Sequence, residues 1–232
     1  MLENHSSCSK VSDTKICPSC YSSEIIKNGT TKTKKQQFFC KNCKRRFLDF
    51  YTYRAYLPQI NSQIVLLTKE GLGIRSTARI LRISITTLLK RITFIAKEIK
   101  TPSLFSGQTY EMDEIRFFIR SKKNLNWLVY AIDKKSKQVA SFFIGKRTNK
   151  TLKVVTKTLE NADAKTIYTD ELMNYQFIIP KDIHKVKRYA TNTIERKNLN
   201  IRTHLKRFNR KNIYFSKSLI ILNAILKIYF WG

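Results

Sequence analysis

Between Ile60 and Ile92 apolar residues return at helical spacing: Ile60, Ile64 and Leu67, then, after Gly71-Leu72-Gly73, Ala78, Leu81, Ile85, Leu88, Leu89 and Ile92. The pattern predicts three helices, over residues 58–70, 74–81 and 85–100. Pro58 suits a first turn and Gly71 a helix end, while Arg82-Ile83-Ser84 makes the turn with Ser84 as N-cap. From Gln108 the period changes to that of strands. Residues 110–119, 126–132 and 138–144 are rich in aromatic and β-branched side chains, with a turn at 133–137. An amphipathic helix follows at 151–161, with Leu152, Val155 and Leu159 inward, then a fourth strand at 165–170 that ends in an acid. Ile194, Ile201, Leu205 and Phe208 form the stripe of another helix. The apolar stretch 213–231, with Leu219, Leu222, Ile225 and Tyr229, reads as a last helix for core packing or a dimer contact.

Three strands, a helix, a strand, then helices is the order of an α/β ribonuclease-H-like domain, placed at 107–232. The segment 101–107, with Pro102, Ser103, Ser106 and Gly107, reads as the linker to an all-α helix-turn-helix module at 55–100. On its last helix Thr86, Thr87, Lys90 and Arg91 are expected on the exposed side, where such a helix enters the major groove; a plain helical bundle with a solvated face is the alternative.

The cysteines add a further module at 14–50, after a polar tail at 1–13 that is expected to be mobile. Cys17-Pro18-Ser19-Cys20 and Cys40-Lys41-Asn42-Cys43 form two CxxC pairs, and two such knuckles complete a tetrahedral site for Zn2+. Asn28-Gly29 between them predicts the turn of a hairpin, so the segment reads as a small β zinc ribbon. Metal would hold together a piece too small to fold alone. His5 and Cys8 read as tail residues rather than as ligands.

Charge then narrows the partner. Lys and Arg number 45 against 16 Asp and Glu, a net charge of +29. Such a chain repels itself unless a polyanion neutralises it, which points to nucleic acid (double-stranded DNA where a helix enters its major groove), with an anionic membrane surface as main rival and a general lysine bias as a lesser one. No apolar run is long enough for a membrane span. The N-terminus carries no apolar signal region and the cysteine count of 5 is odd, so a reduced, cytoplasmic protein is expected.

In a chain so poor in acid, the placement of carboxylates matters. Asp113 sits inside an apolar strand, where a charge costs several kcal/mol unless it is paired or binds metal. Asp170 ends a strand, where α/β sheets present site residues. A salt bridge explains either one alone. Glu195 lies three residues after Asn192, which resembles a capping box, yet it also lines up with Arg202 and Lys206 beside the apolar stripe. Glu114, next to Asp113, is the competing ligand, but in a strand it is expected to point to the opposite face, which favours Asp113. His184 and His204 read as surface or DNA-contact residues.

Asp113-Glu114-Ile115, Ser121-Lys122-Lys123-Asn124, Tyr130-Ala131-Ile132-Asp133, Tyr168-Thr169-Asp170 and the run from Ile194 to Arg207 resemble the insertion-sequence-1 family of transposases, as do the two N-terminal modules. The resemblance implies a DDE transposase whose catalytic acids are Asp113, Asp170 and Glu195. They would hold Mg2+ or Mn2+, and strands would be cut and joined without a covalent protein–DNA intermediate. It places the family's basic residue at Arg202, with Lys206 and Arg207 beside it for phosphate. It also implies binding to element ends and target DNA as a homo-oligomer. Glu171 and Lys197 depart from the family pattern, and neither is one of the three acids.

Overall fold

A computed structural model describes residues 9–10, 16–48, 50–51, 53–187, 190–209 and 215–232. His5, Cys8 and Ile213, and with them most of the expected tail and the expected start of the last helix, lie outside the described residues. By compactness the chain divides into residues 1–60 with 81–83, and residues 61–80 with 84–232.

The first unit holds strands β1 (Ser9–Lys10), β2 (Ile25–Thr30), β3 (Gln36–Cys40), β4 (Arg46–Leu48) and β5 (Phe50–Tyr51). β2, β3 and β4 make an antiparallel sheet, and β1 pairs with β5. Cys17, Phe38, Cys40 and Phe47 are its buried core, with the rings of Phe38 and Phe47 stacked at 5.7 Å. The hairpin does not turn at Asn28-Gly29. Ile25 faces Cys40 and Thr30 faces Gln36, so the chain reverses over residues 31–35, where Thr31 N–H donates to Lys35 O and Lys34 takes φ +58°. Gly29, at φ +71°, instead lies where the register shifts between Lys27 and Thr30: a bulge, which serves glycine as well as a turn does.

Helices α1 (Ile60–Lys69), α2 (Ile74–Leu81) and α3 (Ile85–Glu98) stand where the periodicity puts them. α1 ends in a Schellman arrangement: Leu72 N–H reaches Leu67 O, and Gly71 takes φ +75°. Ser84 caps α3, accepting from Thr87 N–H at 3.1 Å. The far end of α3 is closed by a distant residue, Lys227, whose Nζ donates to Ala96 O and Ile99 O at 3.0 and 3.1 Å. Most of the expected separate helical module thus falls in the second unit, with α3 packed against the C-terminal helix.

The rest of that unit is one sheet with helices. Strands β6 (Thr109–Phe118), β7 (Leu125–Asp133), β8 (Val139–Gly145), β9 (Thr166–Tyr168) and β10 (His184–Lys185) lie in the order β10-β9-β6-β7-β8. β6, β7 and β8 are antiparallel, whereas β9 runs parallel to β6 and β10 parallel to β9. Helix α4 (Asn149–Asn161) connects β8 to β9 and buries Leu152, Val155 and Leu159 with Tyr110, Met112 and Val129. Helices α5 (Asn192–His204) and α6 (Leu219–Trp231) take part in the opposite layer: Phe208 meets Phe117, and Phe230 meets Tyr130 and Phe142. This strand order and direction is ribonuclease-H-like, as the sequence predicts.

Three expectations change. β10 was not foreseen, because two residues carry no pattern of their own. The fourth strand stops at Tyr168, leaving Asp170 in the following loop. α5 stops at His204 rather than running to Phe208: Leu205 leaves helical angles (φ −98°, ψ 81°) and a short 3-10 turn, Lys206–Phe208, brings Phe208 under β6.

Gly71 joins the two parts of the second unit. A Cβ there would overlap the backbone carbonyl of His204 at the end of α5. Gly71→Ala is expected to lower stability by about 2–4 kcal/mol, from the left-handed backbone and the overlap together. Urea unfolding followed by Trp fluorescence reads this, and Gly73→Ala, with open space around its Cβ, should change it by less than about 1 kcal/mol.

Candidate catalytic site

β6 is central, and its alternation sets the site. Glu111, Asp113, Ile115 and Phe117 face α5, and Tyr110, Met112 and Glu114 face α4 and the 3-10 turn Met173–Phe177. Asp113 is half-buried. Its Oδ2 accepts from Asn198 Nδ2 on α5 at 2.5 Å, and its Oδ1 accepts from Glu114 N–H at 2.6 Å. Tyr130 on β7 donates to Asn198 Oδ1 at 2.7 Å, so the amide is oriented from both ends. Asp170 is exposed just past β9, its Oδ1 accepting from Leu172 N–H at 3.2 Å.

Ligand oxygens of Asp113, Glu114 and Asp170 lie within 4.8 Å of one another. Glu114 is 8% exposed; its Oε1 accepts from Tyr175 Oη at 2.7 Å and its Oε2 is 3.6 Å from Arg147. Alternation does turn Glu114 to the other face, but its carboxylate still reaches the two aspartates. Glu195 is exposed on the first turn of α5, outside this 4.8 Å group, with Oε1 accepting from Thr191 Oγ1 at 3.2 Å. It is not in a capping box on Asn192, because the N-cap position is Thr191, whose side chain makes no capping hydrogen bond.

Electrostatics tie the acids together. Burial pushes the Asp113 carboxyl up; hydrogen bonds from Glu114 N–H and Asn198 oppose this, and the charges of Asp170 and Glu195 add to it. Glu114 is pushed up to about 7, first by burial and then by Asp170 and Asp113, against the pull of Tyr175 and Arg147. The cluster is therefore short of positive charge, which is what a bound cation supplies.

His184 is not a plain surface residue. Its half-buried ring sits 2.8 Å from Thr169 Oγ1, next to Asp170, and burial holds its pKa down. His204 is exposed, with Nδ1 2.8 Å from Tyr229 Oη. Of the expected DNA contacts, Thr86 and Lys90 are exposed on α3; Thr87 Oγ1 lies 2.8 Å from Ser84 Oγ, and Arg91 donates to Asn61 Oδ1 at 3.4 Å. Arg202 is half-buried on α5, and its charge acts on Tyr130, whose hydroxyl burial pushes far up. Lys206 is exposed but stands in the turn after α5, so only Glu195 and Arg202 share the helix. Arg207 is turned inward, donating to Ser216 Oγ at 3.3 Å, and burial lowers its pKa. Sequence reasoning missed Asn198, Tyr130, Tyr175 and Glu111. Asn198 had a signal: it is a polar residue on the stripe of Ile194, Ile201 and Leu205.

In the first unit the four sulfurs of Cys17, Cys20, Cys40 and Cys43 lie within 4.8 Å of one another, with Cys17–Cys43 at 3.6 Å and Cys20–Cys40 at 3.5 Å. Tetrahedral Zn–S bonds of about 2.3 Å give sulfur–sulfur edges of about 3.8 Å, so the cage has the right size. Burial would raise Cys17, but the N–H groups of Ser19 and Cys20 and the neighbouring sulfurs outweigh it and hold it at about 6. For Cys20 the Ser22 N–H pulls down, while burial and the other sulfurs push it up to about 12.

A ribonuclease-H-like sheet that gathers carboxylates beside its central strand, joined to a helix-turn-helix, defines a DDE-class polynucleotidyl transferase acting on DNA. The family profile described as IS1 transposase matches residues 108–231, and that described as InsA C-terminal domain matches residues 51–93. The chain belongs to the IS1 transposase family. Insertion element IS1 protein InsB of Shigella sonnei is 34% identical over 119 residues, 51% of this chain and 91% of that protein. Insertion element iso-IS1n protein InsB of Shigella dysenteriae is 34% identical over 116 residues, 50% and 88% of the two chains. Among solved structures, the HTLV-2 integrase catalytic core domain in complex with magnesium is 18% identical at a TM-score of 0.36, covering 55% of this chain and 86% of that one. A chain of the simian T-cell lymphotropic virus intasome is 17% identical at a TM-score of 0.39, covering 70% of this chain and 66% of that one. The fold assignment rests on the strand order and direction described above.

A raised carboxyl has a defined pH signature. Glu114 binds its proton more tightly folded (about 7) than at the usual value of 4.5, so its contribution to stability is full below about 4.5 and is lost as pH rises through 7. Without divalent cations, the stability of the wild type relative to Glu114→Gln should fall by about 2 kcal/mol between pH 5 and pH 8. Urea titrations of both proteins in chelator check this; a constant difference would show that Glu114 is ordinary.

Proposed function

We propose that the chain cuts and joins DNA strands at the ends of its own element, with Asp113, Asp170 and Glu195 as the catalytic acids that hold Mg2+ or Mn2+. One observation carries the reading: the Asp113 and Asp170 oxygens come within 4.8 Å, and the charges of Asp170 and Glu195 both act on Asp113. Hard oxygen donors crowded beyond what their neighbours neutralise fit a small divalent cation. Bound there, such ions lower the pKa of water or a DNA 3′-hydroxyl and stabilise charge on the leaving oxygen.

The chain's own residues do the rest. Asn198 and the Glu114 N–H fix the Asp113 carboxylate, which has an oxygen within 4.8 Å of one of Asp170. Arg202 and Lys206 bind phosphate near the cut, and Arg207 supports the turn that carries Lys206 through Ser216. Thr86, Thr87, Lys90 and Arg91 on α3 meet the element ends in the major groove. The ribbon, with Zn2+ held structurally by Cys17, Cys20, Cys40 and Cys43, adds phosphate contacts from its basic surface. No protein nucleophile is needed, so no covalent protein–DNA adduct forms. Two ends must meet, so the working form is a homo-oligomer, in the cytoplasm with the nucleoid. Among the described residues no helix is long and apolar enough to cross a membrane.

Asp113→Asn, Asp170→Asn and Glu195→Gln should each abolish cleavage and strand transfer on labelled element ends while thermal melting and DNA binding stay near wild type. An active Glu195→Gln protein would sink the assignment of Glu195 and leave Glu114 as the third acid. Cys40→Ser should cost about one zinc per chain by elemental analysis; full zinc retention would refute the four-cysteine site.

A further inference from the structure

Glu111 is the most enclosed acid described in the chain's sheet, 0% exposed on β6, on the same face as Asp113. Its Oε2 accepts from the backbone N–H of Ile194, in the first turn of α5, at 2.9 Å. Its Oε1 lies 3.5 Å from Lys134 Nζ. The same ammonium donates to Ala190 O at 3.2 Å and sits 4.6 Å over the ring of Tyr168 on β9. One carboxylate and one ammonium thus tie the start of α5 to β6 and to the strand that leads to Asp170.

This arrangement replaces a local cap. Thr191 precedes α5 with φ −103° and ψ 13° and makes no side-chain capping bond, so an N–H of the first turn is satisfied by a residue of the sheet. Burying a carboxylate is costly unless it is paired, and here the helix N-terminus, the N–H and Lys134 all offset the cost. The same fold position would be cheaper to hold with apolar side chains, so a fully buried carboxylate paired with a solvent-exposed ammonium at this point calls for a reason beyond packing.

The reason is geometric. Ile194 is the residue before Glu195, and Asn198, one turn on, is bound to Asp113 and Tyr130. Glu195 therefore stands between two anchors on the buried side of α5, both leading to β6. We infer that Glu111 and Lys134 are positioning residues for the transferase reaction: they fix the height and rotation of α5 so that Glu195 is presented to Asp113 and Asp170. Neither touches the reacting atoms. This inference rests on the reading of Glu195 as a catalytic acid.

The test uses the full chain with Glu111→Ala, Glu111→Gln, Lys134→Met and Glu195→Gln. Hydrogen–deuterium exchange over residues 192–204 reads the anchoring, with residues 149–161 of α4 as the internal reference, and cleavage of element-end DNA reads turnover and KM. Glu111→Ala should speed exchange at the start of α5 by about fivefold or more, the size of losing a helix cap, with α4 unchanged. Its turnover should fall about 10- to 100-fold with little change in KM, the pattern for outer partners of a metal site. Glu111→Gln keeps an acceptor for Ile194 and should recover most of both readouts, while Lys134→Met should fall between. Should Glu111→Ala not fold, the Glu111→Gln and Lys134→Met pair decides: α5 loosened and turnover reduced in Lys134→Met more than in Glu111→Gln supports the inference, and wild-type turnover in both overturns it. Exchange rising equally in α4 and α5 also overturns it, as a general loss of stability. If α5 loosens but turnover stays at the wild-type level while Glu195→Gln is inactive, positioning fails and the catalytic reading stands. If Glu195→Gln is itself active, it is the catalytic reading that fails, whatever α5 does.

Discussion

Placing carboxylates on the middle strand of a sheet is the constraint around which the second unit is arranged. β6 carries Glu111, Asp113 and Glu114, and it is hydrogen-bonded on both sides, to β7 along its whole length and to β9 at its start. Water cannot reach such side chains freely, so each needs partners from the layers above and below. α5 supplies the Ile194 N–H and Asn198; the segment after β9 supplies Tyr175; β7 contributes Tyr130, the turn after it Lys134, and the connection after β8 Arg147. The elements that cover the strand are therefore also the elements that hold the acids. Packing and chemistry cannot be assigned to different residues here.

The three proposed catalytic acids differ in how firmly they are held. Asp113 is half-buried, held at both oxygens and surrounded by negative charge; Asp170 and Glu195 are exposed at the ends of short-range structure, a loop and a helix start. A half-buried, doubly held acid beside two exposed ones fits the proposed reading, in which cations and then a DNA backbone are taken up between the carboxylates and Arg202. Glu114 complicates this picture, because it reaches the two aspartates from the α4 side with its own cation, Arg147, already in place.

What could be read from the sequence was local. The α2 boundaries, the Ser84 cap and the Gly71 stop depend on residues within one or two turns, and the strand order follows from period and length. The two CxxC knuckles likewise state their own geometry. What could not be read depends on a partner far along the chain. The ribbon hairpin turns at 31–35 because Ile25 pairs with Cys40, not because of what Asn28-Gly29 prefers. β10 is a strand only because β9 lies beside it. α5 ends early so that Phe208 can meet Phe117. Glu114 does face the other side, as alternation gives, yet its carboxylate reaches the two aspartates. Alternation gives the direction of Cβ, but a glutamate is long, and beyond Tyr168 no strand stands between the two faces.

The contact between Gly71 and His204 bears on how such proteins can change over generations. The DNA-reading helices match a profile named for InsA, while the sheet resembles proteins named InsB, as though the two were interchangeable parts. In this chain they are not. The backbone of the α1–α2 turn lies against the last residue of the helix that carries Glu195, and Lys227 of the final helix closes the end of α3. A lineage that acquired new end-recognition helices by recombination would have to bring a glycine at this position and a carbonyl pair within reach of Lys227. With α3 reading the element ends as proposed, that specificity is freer to drift by substitution on the outer face of α3 than by exchange of the whole module.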